Sequence, residues 1–343
     1  MTSRLALPFF RPFDPVRGAL QRGAARLLAL QRHDSGWDGA WRLYVGTTCD
    51  STSTVGLAGL GLVAAYRQAR DPAHLEAALR AAAFIAAHLG AGASKGAYHA
   101  RFTASDVVFF HRLSQLTGEE AHSQRAVEEW RNIRSYFYFA TADDLHRFFQ
   151  KIERAVGAYD LAYYLEAAEL CGDAAWADEA ARILAHALDG PYCEARNEYR
   201  ALNLAAAVRA LAGQGYGGIY RAELDGLIKA LTDVIDGDNV GGSVQDSAYA
   251  VMALFATGGP LRLVAGDIAR WLAARLEPWG GWLEEGVQYP HVDAEALWAL
   301  ALWLGRRGHV DRNGTSSLHS RSSWAGSWRA ISPHDPIAPF DGQ

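Results

Sequence analysis

The chain has 343 residues, 50% of them hydrophobic and 21% charged, with a formal net charge of −5. That length and composition permit a large buried core in one large or two ordinary domains. The Lys and Arg are dispersed singly along the chain, which speaks against a nucleic-acid surface, where positive charge must be clustered. Cys49, Cys171 and Cys193 form no CxxC pair; so sparse and odd a set argues against a disulfide framework and fits a reducing compartment. The opening MTSRLALPFFRPFDP has a short apolar patch broken by Pro8, unlike a signal peptide, and no stretch reaches the ~20 apolar residues of a membrane span. A soluble, cytoplasmic protein is expected.

From Val16 onward two kinds of helix alternate. The first kind is amphipathic, with one apolar stripe and one charged face: VRGALQRGAARLLALQ, HLEAALRAAAFIAAHL, AHSQRAVEEWRNIRSYF, AAWADEAARILAHAL, RAELDGLIKALTDVI and GDIARWLAARLEPW. The second kind is apolar or small on nearly every side: CDSTSTVGLAGLGLVAAY, SDVVFFHRLSQL, YDLAYYLEAAEL, LNLAAAVRAL, QDSAYAVMALF and VDAEALWALALWL. A helix without a polar face is buried, so the second set should form an inner barrel wrapped by the first. The unit recurs roughly every 45–55 residues, a spacing of helix-pair arrays. Six pairs close a ring, and Gly56, Ala58, Gly59, Gly61 and Ala205 to Ala207 allow close approach of the inner axes.

In register, the six inner segments open with Asp50, Asp106, Asp160, Asn203, Asp246 and Asp293. Parallel inner helices would gather all six at one mouth. One reading is helix N-capping, for which Asp and Asn are favoured and contribute about 1 kcal/mol each. The other is a shared carboxylate site, in which repulsion and desolvation raise at least one pKa. Further polar residues fall near the same mouth: Tyr289, His291 and Asp293 in QYPHVD, Lys151, Arg154, Tyr159 and Asp160 in RFFQKIERAVGAYD, and Glu198, Tyr199, Arg200 and Asn203 in NEYRALN. Gly36 to Thr48 reads as a long loop at the mouth. After about residue 307 the periodicity stops in a Ser-, Gly- and Pro-rich segment bearing Trp324 and Trp328.

ARLLALQRHDSGWDG, with Leu28, Gln31, Asp34, Gly36 and Trp37, resembles the prenyltransferase and squalene-cyclase repeat. RWLAARLEPWGGWLEEG keeps Trp271, Leu272 and Gly280-Gly281-Trp282, with Leu276 in place of Gln. The resemblance implies an all-α fold, the α/α toroid of about six helical hairpins shared by terpenoid cyclases and protein prenyltransferase β subunits. It would occupy residues 1–307 as a single domain, followed by an irregular tail over 308–343. Such motifs staple the barrel and do not identify the reaction. The prenyltransferase zinc motif is incomplete: Asp246-Ser247-Ala248-Tyr249 and His291 fall in similar places, but Ala248 replaces the thiolate. The class II acid motif has only Asp236-Gly237-Asp238-Asn239 as a near match, in a Gly-rich stretch that also reads as a turn. A class I motif is missing, since Asp143-Asp144 is followed by Leu145, His146 and Arg147.

The catalytic candidates are therefore Asp50, Asp246, Asp160, Tyr159 and His291. The substrate-binding candidates are Trp37, Trp41, Asp106, Arg154, Tyr199, Asn203, Tyr249, Trp282, Tyr289 and Asp293. No metal and no other cofactor is expected, and the partner is a small molecule or an oligosaccharide. The resemblance implies an isoprenoid substrate protonated or oriented by an Asp, with aromatic side chains shaping a cation path. The polar mouth supports an alternative, a carbohydrate-active toroid (polysaccharide lyase or glycoside hydrolase) using paired carboxylates or a Tyr/His base. A non-catalytic ligand-binding toroid is the third reading.

Overall fold

Six inner helices stand side by side because their sequences leave them nothing to show to water. They are α2 (Val55–Ala69), α4 (Ala104–Thr117), α7 (Gly157–Leu170), α9 (Arg200–Gly213), α11 (Val244–Thr257) and α13 (Pro290–Val310). Each is paired with an amphipathic outer helix: α1 (Pro15–Leu30), α3 (Pro72–His88), α5 (Glu120–Tyr136), α8 (Ala174–Ala185), α10 (Arg221–Asp233) and α12 (Leu261–Ala274). The computed structural model describes residues 14–34, 36–48, 50–51, 54–88, 103–136 and 141–310. Cys49, Trp324 and Trp328 lie outside the described residues, as does the side chain of Asp50. Residues 1–306 form one compact unit, and residues 307–343 group separately. No helix among the described residues is long and apolar enough to cross a membrane.

Local chemistry sets the helix ends. Asp14 caps α1, its carboxylate accepting from the Val16 amide at 3.0 Å, with Pro15 at the first helical position. Ser243 caps α11 by accepting from the Asp246 amide at 3.0 Å, and Gly118 ends α4 in the left-handed conformation. A thirteenth helix among the described residues, the connecting α6 (Ala142–Lys151), was not expected from the sequence. Thr141 and Asp144 form a capping box at its start, and Leu145 and Phe149 on one face are buried. Lys151, expected among the polar residues of the mouth, is exposed at its last turn.

Neighbouring inner helices meet start to start. A Cβ added to Gly56 near the start of α2 would press on Asp106 near the start of α4. The Tyr159 amide at the start of α7 donates to Asn203 of α9 at 3.1 Å. Tyr249 of α11 donates to Glu295 of α13. The inner helices are thus parallel, with their amino ends at one mouth. The ring closes where α13 returns to α2: a Cβ at Gly61 would lie 2.6 Å from the Ala294 Cα. The outer ring closes where α1 packs on α12. The fold is an all-α, α/α toroid of six hairpins, with one small addition, the two-residue strands β1 (Trp41–Arg42) and β2 (Asp50–Ser51) pairing antiparallel inside the long first loop.

The two repeat motifs hold hairpins together. Gln31 donates to the Gly39 and Ala77 carbonyls at 3.1 and 2.8 Å and accepts from Arg80 at 2.9 Å. Trp41 and Trp282, both fully buried, donate their indole N–H to the Leu27 and Leu272 carbonyls at 2.9 and 2.8 Å. In the first hairpin, then, the indole equivalent to Trp282 belongs to Trp41; Trp37 instead stacks on Phe84 and His88.

Because Gly61 faces Ala294 backbone, which cannot rotate away, Gly61→Ala should overpack the seam and destabilise the fold by about 1–3 kcal/mol. A urea titration comparing midpoints at unchanged slope measures it.

Candidate functional site

At the mouth the barrel holds a carboxyl that the rest of the site is built around. Glu295 lies at the sixth position of α13 and is 1% exposed. Its Oε1 accepts from the hydroxyls of Tyr159 on α7 (2.9 Å) and Tyr249 on α11 (3.1 Å), and its Oε2 accepts from the amide of Gln245 (2.9 Å). Two helices, α7 and α11, therefore aim three donors at one acid. Burial drives its pKa up, the three hydrogen bonds and Arg209 pull it back, and the balance stands at about 7. Burial and the Glu295 charge push both tyrosines well above their ordinary pKa, so they remain donors.

One layer deeper, the Tyr163 and Tyr249 hydroxyls lie 2.6 Å apart. The Arg209 guanidinium sits over the rings of Tyr163, Trp298 and Tyr249, at 4.8, 5.4 and 5.9 Å from their centroids. Its Nη1 donates to Glu166 at 2.9 Å, and Arg112 donates to the other oxygen of Glu166 at 2.7 Å. Between two guanidinium groups the Glu166 carboxyl is held below its ordinary pKa despite complete burial. The barrel axis is consequently polar and charged.

Aromatic residues edge the opening. Tyr44 packs against Tyr289 (5.9 Å between centroids) and Tyr289 against His291 (5.5 Å), while Tyr199 is 39% exposed. Burial lowers His291 to about 4, so its ring is neutral, and its Nδ1 has no partner among the described residues. Half-buried Asp246 is raised to about 7, by burial first and then by the nearby Glu284 carboxylate, which itself accepts the Val244 and Gln245 amides.

The Asp and Asn register does not cap helices. Asp106, Asp160, Asn203, Asp246 and Asp293 sit at the third or fourth helical position, one turn inside the caps. Three of these side chains, those of Asn203, Asp293 and Asp160, hold backbone or loop. Asn203 accepts the Tyr159 amide and donates to the Ala155 and Tyr192 carbonyls. Asp293 accepts from the Trp282 amide at 2.8 Å and from Gln288; burial raises it to about 7. Asp106 is fully buried against α2, and Asp160 pairs with Arg154 at 2.6 Å. With Trp41 and Trp282 buried as staples, these residues build the mouth rather than line it, and the Arg154 charge is engaged by Asp160. Of the sequence candidates, the structure brings Tyr159 and Tyr249 together on Glu295. It gathers Tyr289 and His291 at the rim and leaves Tyr199 exposed. Asp236–Asn239 is a turn closed by a pair of backbone bonds, with Gly237 at φ 64°. Glu295, Gln245, Glu166, Arg112 and Arg209 were not singled out from the sequence. The signal was there: each is a charged or amide side chain on a helix otherwise free of a polar face.

No protein-family model matches the chain, and no curated protein matches it. Its fold is similar to that of an unsaturated glucuronyl hydrolase specific for heparin, with a TM-score of 0.62 at 12% identity over 86% of this chain and 98% of that one. An inactive variant of the α-1,6-mannanase GH76A of Salegentibacter sp. HEL1_6, in complex with α-1,6-mannotriose, matches with a TM-score of 0.58 at 12% identity over 84% and 99%. A protein from Actinoplanes matches with a TM-score of 0.56 at 17% identity over 85% and 100%. These likenesses establish the α/α-toroid fold. The mannanase variant has two successive aspartates replaced; the successive pair in this chain, Asp143-Asp144, opens α6 and is engaged by Thr141 and Arg147.

The perturbed acids make stability depend on pH. Glu295, Asp246 and Asp293 hold their protons more tightly folded than unfolded, so their contribution is full below the ordinary carboxyl pKa and is lost as pH rises through about 7. His291 acts oppositely: its contribution is present above its ordinary pKa and is lost as pH falls through about 4. The melting temperature should therefore fall between about pH 5 and 8, and Glu295→Gln should make that fall shallower. A melting series on both proteins decides; equal slopes would show that Glu295 does not titrate in this window.

Proposed function

We propose that the chain is a carbohydrate-active enzyme of the α/α-toroid type, with Glu295 as its proton-carrying carboxyl. The observation that carries the reading is Glu295 itself, a buried acid poised near neutrality and held by Tyr159, Tyr249 and Gln245 below an aromatic rim. A carboxyl with a pKa near 7 is suited to protonate a leaving oxygen and to take the proton back. Glycosidic cleavage also needs a second group to activate water or bear charge. Asp246, beside Gln245 on α11, is the carboxyl assigned to that role, and neutral His291 offers its unpartnered Nδ1 to a sugar hydroxyl. Tyr44, Tyr199 and Tyr289 supply rings on which a sugar can stack.

The isoprenoid reading implied by the repeat motifs is the weaker one. A hydrocarbon chain in this barrel would lie against Glu295, Glu166, Arg209 and three tyrosine hydroxyls. Burying such groups against hydrocarbon costs several kcal/mol. The α/α-toroid proteins of known activity that the chain resembles act on carbohydrates, an unsaturated glucuronyl compound in one and an α-1,6-mannan in the other.

The test is a binding and turnover screen with α-1,6-mannotriose, an unsaturated glucuronyl disaccharide, squalene and a polyprenyl diphosphate. A saccharide should raise the melting temperature and be turned over. Glu295→Gln should lower kcat by about 10²–10⁴-fold while keeping binding, and Asp246→Asn should also slow turnover. Stabilisation by the polyprenyl compounds alone would overturn the reading. Saccharide binding without turnover would remove its catalytic part.

A further inference from the structure

At the centre of the barrel stands a rare feature: an arginine with an unused fork. Arg209 is 8% exposed. Its Nη1 is engaged by Glu166, but Nε and Nη2 are buried and have no hydrogen-bond partner among the described residues. Those two atoms form the edge of the guanidinium whose parallel N–H groups match the two oxygens of a carboxylate. Leaving such donors dry is costly, and native proteins do so rarely. The stacking of Tyr163, Trp298 and Tyr249 fixes the plane of the group without satisfying either N–H.

The one carboxylate on Arg209 is itself shared. Glu166 is shared by Arg112 and Arg209, one carboxylate against two guanidinium groups. Arg67 on α2 is nearby and is itself held below its ordinary pKa by burial and by the charges of Arg112 and Arg70. The distance to the proposed reaction centre is short: Tyr249 bridges the two, its hydroxyl on Glu295 and its ring beside the Arg209 guanidinium.

We propose that the Nε–Nη2 edge of Arg209 receives the carboxylate of the substrate, so that the barrel takes an acidic, uronate-type sugar with its reacting end at Glu295. The inference rests on the carbohydrate reading above and narrows it to a substrate class. Binding of a free small anion, acetate or sulfate, at the same edge is the competing outcome.

Isothermal titration on the full chain, using Glu295→Gln to prevent turnover, compares an unsaturated glucuronyl disaccharide, its neutral methyl ester, α-1,6-mannotriose, acetate and sulfate. The free acid should bind at least about tenfold more tightly than the ester. Arg209→Lys, which keeps the charge and loses the fork, should shrink that preference to about twofold or less. Equal binding of acid and ester overturns the inference before Arg209 is changed at all. So does a preference that survives Arg209→Lys, or binding of acetate and sulfate without the acidic sugar. Tight binding of mannotriose with no preference for the acid sinks this inference alone, whereas failure of every saccharide sinks the carbohydrate reading with it.

Discussion

Everything at the mouth depends on how closely α13 can lie against α2. Gly61 and Ala294 leave no side-chain bulk between the two helices, so the last hairpin seats directly on the first. Ala294 faces that seam, and the next residue, turned by about 100° around the helix, is Glu295. Closure of the ring and the depth of the acid are therefore one constraint. A wider seam would back α13 away and carry the carboxyl from the hydroxyls of Tyr159 and Tyr249.

The interior that results differs from an ordinary core. Outer-to-inner packing is dry and made of Ala, Leu and Val, but the axis carries Glu295, Arg209, Glu166 and Arg112 with their tyrosine neighbours. Buried ion pairs rarely increase stability over apolar packing of equal volume, because desolvation offsets their attraction. A barrel that keeps such a column gives up packing energy along its axis.

Much of the architecture was legible in the residues. AVMALF and LAAAV have no face to offer water, and their alternation with charged-face helices leaves two concentric rings as the simple solution. The connecting helix α6 was not, because TADDLHRFFQK joins a capping box to a short amphipathic run that reads equally as a polar approach to α7. The site was partly legible. Tyr159, Tyr249 and His291 stand out beside the register acids, but the register did not point to Glu295. Asp293 turns back to the Trp282 amide and the preceding loop, while Glu295, two residues and about 200° further round, reaches the axis. On α13 the first acid holds the loop, and the later, isolated acid is the one the tyrosines of α7 and α11 engage. A linear motif cannot distinguish them, because the difference is an angle.

The seam has one more implication. Since α1 packs on α12 and α13 on α2, no hairpin of this ring is an end in space, although two of them are ends in sequence. Every hairpin is braced on both flanks, so none can fray alone without opening two interfaces. Which hairpin comes first along the chain is thus topologically arbitrary: the annulus is defined by its seams and not by the order in which its hairpins are made.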